Sequence, residues 1–244
     1  MCATKKQVEP IATKNPALTR KADWLVPTSL IVLTAVPFAA GVVRLIGLAR
    51  GGEITPENAR FFAAPVPVVI HIIAVTLYCI LGAFQFSPGF RRGKPNWHRR
   101  AGWLLVPCGL ASALSGLWMT LFYPLPPALQ GPLLLVFRIL IGSAMMFCIS
   151  LGLAAILRRN FAHHGAWMIR AYAIGQGAGT QVLTVLPWTL IIGEPTGRTR
   201  DVLMIAAWII NLAVAEWIIR RQPTQQNRTA PFLSALRRAD RVAS

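Results

Sequence analysis

Acidic residues are scarce in this sequence, and charged residues of either sign are few. Only 8 of the 244 residues are Asp or Glu, against 25 Lys or Arg, and charged residues make up 14% of the chain. A soluble domain usually carries about 25% charged residues. The scarcity of carboxylates argues against a paired-carboxylate active site and against a site for a hard cation such as Ca²⁺. No H-E-x-x-H motif and no Ser-His-Asp arrangement is recognisable.

Cysteine is also sparse, and its spacing argues against the usual cysteine-based sites. The four cysteines are scattered, and no C-x-x-C pair occurs. Three of them, Cys79, Cys108 and Cys148, lie inside apolar runs. A disulfide framework or a zinc site is therefore not expected, and we predict buried, reduced thiols.

Apolar residues, in contrast, make up 55% of the chain and are gathered into six long runs. About 20 such residues cross the hydrocarbon core of a bilayer, and a backbone in lipid must form its hydrogen bonds within its own segment. The predicted fold is therefore an all-α polytopic membrane bundle of six transmembrane helices, with a kink expected at Pro187. The predicted spans are 24–48, 64–86, 101–123, 132–157, 165–192 and 201–219.

The basic residues are distributed unequally between the two sides of these spans. The N-terminal segment, the 87–100 and 158–164 loops and the C-terminal tail together hold 18 Lys and Arg, against 4 in the other loops. The positive-inside rule then places both termini in the cytoplasm. We predict a basic cytoplasmic segment (1–23), a six-helix transmembrane domain (24–219) and a basic cytoplasmic tail (220–244).

The formal net charge of +17 fits this distribution. Because the basic residues lie mostly between and outside the apolar runs, the expected partner is the lipid bilayer and not nucleic acid. No cleavable signal peptide is expected, because the first apolar run is long enough to span. We expect a bacterial cytoplasmic (inner) membrane, with the oligomeric state open.

Polar residues inside the spans are costly and need an explanation. His71, Tyr78 and Gln85 are seven residues apart, nearly two helical turns, so they form one stripe on the second span. Arg138 lies between the apolar stretches "LLLVF" and "ILIG" at a depth like that of His71, and Gln181 lies in the outer half of the fifth span. We predict that these five residues line a site for a small ligand or a quinone.

A second predicted layer lies nearer the cytoplasm. His98 begins the third span, and His163 and His164 begin the fifth, at the same membrane face. Neutral imidazole is a common axial ligand of haem iron, so one b-type haem is predicted there, with His98 and His164 (or His163) as ligands. Arg99 and Arg170 could hold its acidic groups. The alternative is that these are ordinary interfacial residues, with Arg170 paired to Glu216.

Two stretches resemble the motifs of a family of predicted bacterial and fungal multi-pass membrane proteins that is classed as a domain of unknown function. They are "HIIAVTLYCILGAFQFSPGFRRGKPNWHRRAGW" and "HHGAWMIRAYAI". The resemblance implies a multi-pass membrane protein, and it implies no established reaction. Trp103 stands where the pattern is expected to carry a basic residue. The positions to which the resemblance points are His71, Tyr78, Gly82, Gln85, His98, Arg99, Gly102, His164, Trp167, Met168, Arg170 and Tyr172.

Three functions stay open on these observations. The first is membrane electron transfer with one haem b. The second is a transporter or sensor for a small anion or lipid, which would use Arg138 and His71. The third is a structural or assembly subunit of a membrane complex, in which the glycines of the fifth span matter more than the histidines.

Overall fold

The computed structural model describes residues 16–126, 129 and 131–221. These residues form α-helices joined by short connections and contain no strand, which confirms the all-α prediction. Most of the predicted terminal segments, 1–15 and 222–244, lies outside the described residues. The helices are α1 (Pro16–Arg50), α2 (Ala59–Ala63), α3 (Pro65–Ala83), α4 (Pro88–Gly93), α5 (Pro95–Phe122), α6 (Pro132–Leu157), α7 (Phe161–Gly175), α8 (Gly177–Ile191) and α9 (Gly197–Arg221).

Proline sets where many of these helices begin. α1, α3, α4, α5 and α6 all start at a proline. A proline costs nothing in hydrogen bonding at the first helical position, because that N–H has no partner within the helix in any case. A 3₁₀ turn (Phe84–Phe86) extends α3, and Ser87 then caps α4 by accepting a hydrogen bond from the N–H of Phe90 at 3.3 Å.

Five helices of the described residues are long and apolar enough to cross a membrane. They are the Trp24–Arg50 part of α1, α3 with its 3₁₀ turn, α5, α6 and α9. α6 matches the predicted 132–157 span, and the other four match their predictions to within a few residues. The predicted fifth span, 165–192, is instead two helices of 15 residues each, α7 and α8.

The bundle has an apolar exterior and two distinct ends. Many apolar side chains are more than half exposed, among them Val32, Leu140 and Leu190. We call one end the α4 end; it holds α4 and the starts of α1, α5 and α7, and Trp24 contacts Phe84 there. The other, the α2 end, holds α2 and the starts of α3, α6 and α9, and the Tyr123 hydroxyl donates to the Ala64 carbonyl there.

The break between α7 and α8 lies at Gln176, and α8 continues through Pro187. Ending α7 frees three consecutive backbone carbonyls, and each accepts a hydrogen bond from a side chain. The Asn211 amide donates to Ala173 at 3.0 Å, the Trp208 indole to Ile174 at 3.2 Å, and the Cys79 thiol to Gly175 at 3.5 Å. Non-helical backbone at membrane depth is stable when its polar groups are satisfied in this way.

The Gln176 side chain is itself buried and fully engaged. Its Nε2 donates to the Tyr172 hydroxyl at 2.7 Å, and that hydroxyl donates to the Cys79 carbonyl at 2.7 Å. Its Oε1 accepts from the Thr34 hydroxyl of α1 at 3.2 Å. One side chain at the break thus connects α1, α3 and α7, so the break is a packed structural feature.

Three glycines around the break make room for larger neighbours. A Cβ at Gly175 would lie 2.9 Å from the Tyr78 ring, and one at Gly177 would overlap the Trp208 indole. A Cβ at Gly179 would overlap the backbone of α1 at Leu33. The small-residue series of the fifth span therefore permits close helix contact.

Candidate functional site

The structure brings two of the four histidines together at the α4 end. His98 is the fourth residue of α5 and His164 the fourth residue of α7, so each lies in the first turn of its helix. The two side chains lie within electrostatic range of each other. They are the same residue type, at the same place in two helices that start at the same end of the bundle.

Each ring of this pair has a distinct environment. Nδ1 of His164 lies 2.9 Å from the Gly152 carbonyl oxygen. A carbonyl only accepts, so Nδ1 carries the proton and the lone pair lies on Nε2. Nδ1 of His98 is buried and has no hydrogen-bond partner among the described residues.

His163 has a different role from its neighbour. It is exposed, and its backbone N–H and its Nδ1 lie 3.2 and 3.0 Å from the Asn160 side-chain oxygen. Asn160 is the N-cap residue of α7, so His163 belongs to the helix cap.

Gln85 is the second residue at the α4 end with an unsatisfied buried atom. Its amide Nε2, in the 3₁₀ turn after α3, is buried without a hydrogen-bond partner among the described residues. Arg99, the residue after His98, is exposed and acts on it electrostatically, as does Arg91.

Arg170 and Glu216 form the ion pair that the sequence suggests. Nε and Nη2 of Arg170 donate to the two carboxylate oxygens of Glu216 at 2.5 and 3.0 Å. The guanidinium also lies 4.7 Å from the centre of the Trp167 ring. Both partners are part-exposed, so this pair ties α7 to α9 as a structural contact.

Tyr78 and His71 serve the packing of α3. Tyr78 is buried, and its ring would meet a Cβ at Gly109 at 2.8 Å. Nδ1 of His71 lies 2.9 Å from the Ser112 carbonyl and 3.2 Å from the Ser115 hydroxyl. His71 therefore connects α3 to α5.

His71, Arg138 and Gln181 contact three different sets of neighbours. The Gln181 amide donates to the Met204 carbonyl of α9 at 3.3 Å. Arg138 lies within electrostatic range of Arg60, Arg200 and Asp201 at the α2 end. The structure thus separates the predicted outer ligand site into single contacts and gives Arg138 other companions.

Asp201 is the residue at the α2 end that sequence reasoning overlooks. It is 2% exposed, and its two carboxylate oxygens accept from the N–H groups of Gly131 and Leu134, each at 3.2 Å. It thus binds the start of α6, where the helix dipole favours a negative charge. One signal could have found it: in a chain with 8 acidic residues, an Asp directly before an apolar span stands out.

Arg60 and Arg200 are also placed differently from the loop positions that the sequence suggests. Nε and Nη1 of Arg60 and Nε of Arg200 are buried, with no hydrogen-bond partner among the described residues. Arg60 and Arg44 both stack on the Phe61 ring, at 4.4 and 4.5 Å from its centre. Burial lowers the pKa of Arg60 below its ordinary value, and the nearby charge of Arg44 lowers it further.

Comparison with known proteins supplies a family and no closer relative. Neither the curated proteins nor the solved structures give a significant match. The family described as "Predicted membrane protein (DUF2306)", whose function is unknown, matches residues 68–219. That range covers more than half of the chain and includes most of the helical bundle. The resemblance in the two histidine-bearing motifs is thereby confirmed, and the protein is a multi-pass integral membrane protein that belongs to this family.

Proposed function

We propose that this protein is a membrane electron-transfer protein that holds one b-type haem at the α4 end, with His98 and His164 as the iron ligands. The observation that carries the proposal is the placement of these two imidazoles within electrostatic range, each in the first turn of its helix. A haem held by two histidines supplies one-electron transfer.

The two rings fit this role for different reasons. Because Nδ1 of His164 donates to the Gly152 carbonyl, the ring orientation is fixed and Nε2 is the available ligand atom. Such an outer hydrogen bond is typical of metal-binding histidines. Nδ1 of His98 is buried without a partner, an arrangement that needs an explanation and that a ligand in contact with the ring would supply.

The surroundings of His98 favour a flat group with acidic edges. Gly102 follows His98 by about one helical turn on the same face of α5, and a Cβ there would meet nothing within 4 Å. A glycine is therefore not needed at this position for packing, and its small size leaves space beside His98. Arg91 and Arg99 act on His98 electrostatically and could bind carboxylates.

We also propose six spans, with α7 and α8 crossing as one broken span. At about 1.5 Å per residue, two 15-residue helices and Gln176 reach a length comparable to the bilayer core of about 30 Å. The excess of Lys and Arg places the α4 end and both termini in the cytoplasm. The haem would then lie on the cytoplasmic side of a bacterial inner membrane, where a quinone or a soluble donor could exchange electrons with it.

The test is the visible absorption spectrum of the full-length protein, purified in detergent from cells supplied with a haem precursor. The wild type should show a Soret band and a reduced-minus-oxidised signal of a b-type haem. His98→Ala and His164→Ala should each lose most of that signal, because each removes one iron ligand.

His163→Ala is the matched control, since it removes the neighbouring exposed histidine and should keep the signal. Gly102→Leu should lose haem and keep its folded state, because the added side chain enters the space beside His98 without a packing clash. A wild type without a Soret band, or equal losses in His163→Ala and His164→Ala, would reject the proposal.

A further inference from the structure

The α2 end carries a group of buried guanidinium groups that the haem proposal does not use. Three of their nitrogens, Nε and Nη1 of Arg60 and Nε of Arg200, are buried without a partner among the described residues. An unsatisfied buried donor is unfavourable, and a charged one is more so. Arginine cannot escape that cost by losing its proton, because a guanidinium stays charged in proteins.

Four arginines from four helices form this group, which we call the arginine cluster: Arg44, Arg60, Arg138 and Arg200. Arg138 of α6 interacts electrostatically with Arg60 of α2 and Arg200 of α9, and Arg60 interacts with Arg44 of α1. Like charges brought together in this way repel unless a negative charge lies among them.

The nearby acidic residues do not balance this charge. Asp201 is the buried carboxylate within range of Arg138, and both of its oxygens already accept backbone hydrogen bonds at the start of α6. Glu57 acts on Arg60 but is exposed to solvent. The cluster therefore keeps an excess of positive charge together with unused N–H donors.

An aromatic contact holds part of the cluster in place. The guanidinium groups of Arg44 and Arg60 both lie over Phe61, and Tyr123 packs edge-on against that ring with 5.5 Å between ring centres. Stacking on a ring fixes the plane of a guanidinium and leaves its N–H edges available for hydrogen bonds. Arg44 also lines a neighbouring surface groove of about 410 Å³ whose wall is mostly apolar, including Val43, Leu48 and Phe62.

We propose that the arginine cluster binds a phosphate group, either as free phosphate or as the headgroup of an anionic phospholipid, with Arg60 and Arg200 as direct donors. Guanidinium groups bind such oxyanions through paired N–H contacts, which would satisfy the buried nitrogens and offset the repulsion between the arginines. The apolar groove beside Arg44 gives a lipid chain a place to lie. This site is independent of the haem proposal, because it lies at the opposite end of the bundle.

The experiment uses the full-length protein in detergent and two probes. Inorganic phosphate, compared with chloride at the same ionic strength, tests the free anion through the unfolding temperature. Phosphatidylglycerol, compared with phosphatidylcholine, tests the headgroup through native mass spectrometry of retained lipid. Stabilisation by phosphate identifies a site open to the free ion, whereas retention of phosphatidylglycerol alone identifies the headgroup.

Arg60→Gln and Arg200→Gln should each weaken binding of the effective probe by about tenfold, because each removes one charge-assisted contact. Arg198→Gln is the matched control, since Arg198 is exposed and lies two residues before Arg200 on the same helix. Arg200→Lys keeps the charge and loses the paired N–H geometry, so an intermediate loss is expected. The proposal is overturned if neither probe is preferred, or if Arg198→Gln weakens binding as much as Arg200→Gln.

Discussion

The middle of the bundle can be compared directly with its two ends. At the α7–α8 break, the carbonyls of Ala173, Ile174 and Gly175 each accept a hydrogen bond from a side chain. At the ends, five buried side-chain nitrogens, in Arg60, Gln85, His98 and Arg200, have no partner among the described residues. Satisfied groups in lipid indicate a structural role, and unsatisfied ones indicate contact with something else. The comparison therefore assigns the break to stability and the ends to binding.

The strongest test of the structural middle is Gly177→Ala. The new methyl group would overlap the Trp208 indole, which must keep its hydrogen bond to Ile174. We expect the free energy of unfolding to fall by about 3 kcal/mol, measured by denaturation in detergent. Gly165→Ala is the control: its Cβ meets nothing within 4 Å, so stability should stay constant or rise by up to about 1 kcal/mol. Equal effects of the two changes would show that the break is loosely packed.

A smaller loss is expected from Asn211→Ala. This change leaves the Ala173 carbonyl without its donor and the Thr180 hydroxyl without its acceptor at 2.7 Å. Unfolding should become easier by about 1–3 kcal/mol in the same assay. Thr120→Ala serves as control, because that hydroxyl donates at 2.8 Å to Gly116 of its own helix, and a change within about 0.5 kcal/mol is expected. If both variants behave alike, the cross-helix bond has no special weight.

The Arg170–Glu216 pair should matter less than either. Its side chains are 24% and 36% exposed, so water screens the attraction. A double-mutant cycle with Arg170→Gln and Glu216→Gln should give a coupling of about 1 kcal/mol or less. A coupling of several kcal/mol would place the pair among the buried determinants of the fold.

At the α4 end, Gln85→Met should have the smallest effect, and no loss of stability is expected. It removes an amide that is buried without a partner, and it keeps the length of the side chain. Without a bound ligand, stability should therefore be unchanged or raised by at most about 1 kcal/mol. Destabilisation as large as that of Asn211→Ala would mean that Gln85 is already satisfied, and it would remove the contrast between the middle and the ends.

The regular helices were largely predictable from the sequence, and the break was not. α6 coincides with its predicted span, because a 26-residue apolar run with a proline at its start has one reasonable interpretation. Gln176 was not singled out in advance. The glycines beside it predicted close packing, but the carbonyl partners come from Cys79, Trp208 and Asn211, which are remote in sequence.

The sites show the same division between local and non-local information. His98 and His164 were identified as candidates because helix direction follows from counting spans. The arginine cluster was missed because Arg60 and Arg200 precede apolar runs and look like ordinary loop residues. Only the packing of α2 and α9 around Arg138 shows that their nitrogens are buried.

The break also constrains how the protein is made. The donors for Ala173 and Ile174 lie 38 and 34 residues later in the chain, on α9. During synthesis, α7 and α8 therefore enter the bilayer with two amide acceptors exposed to hydrocarbon, until the last helix arrives. A nascent chain that stops before α9 would keep that defect, which is a feature that membrane proteases could use to recognise and remove incomplete copies.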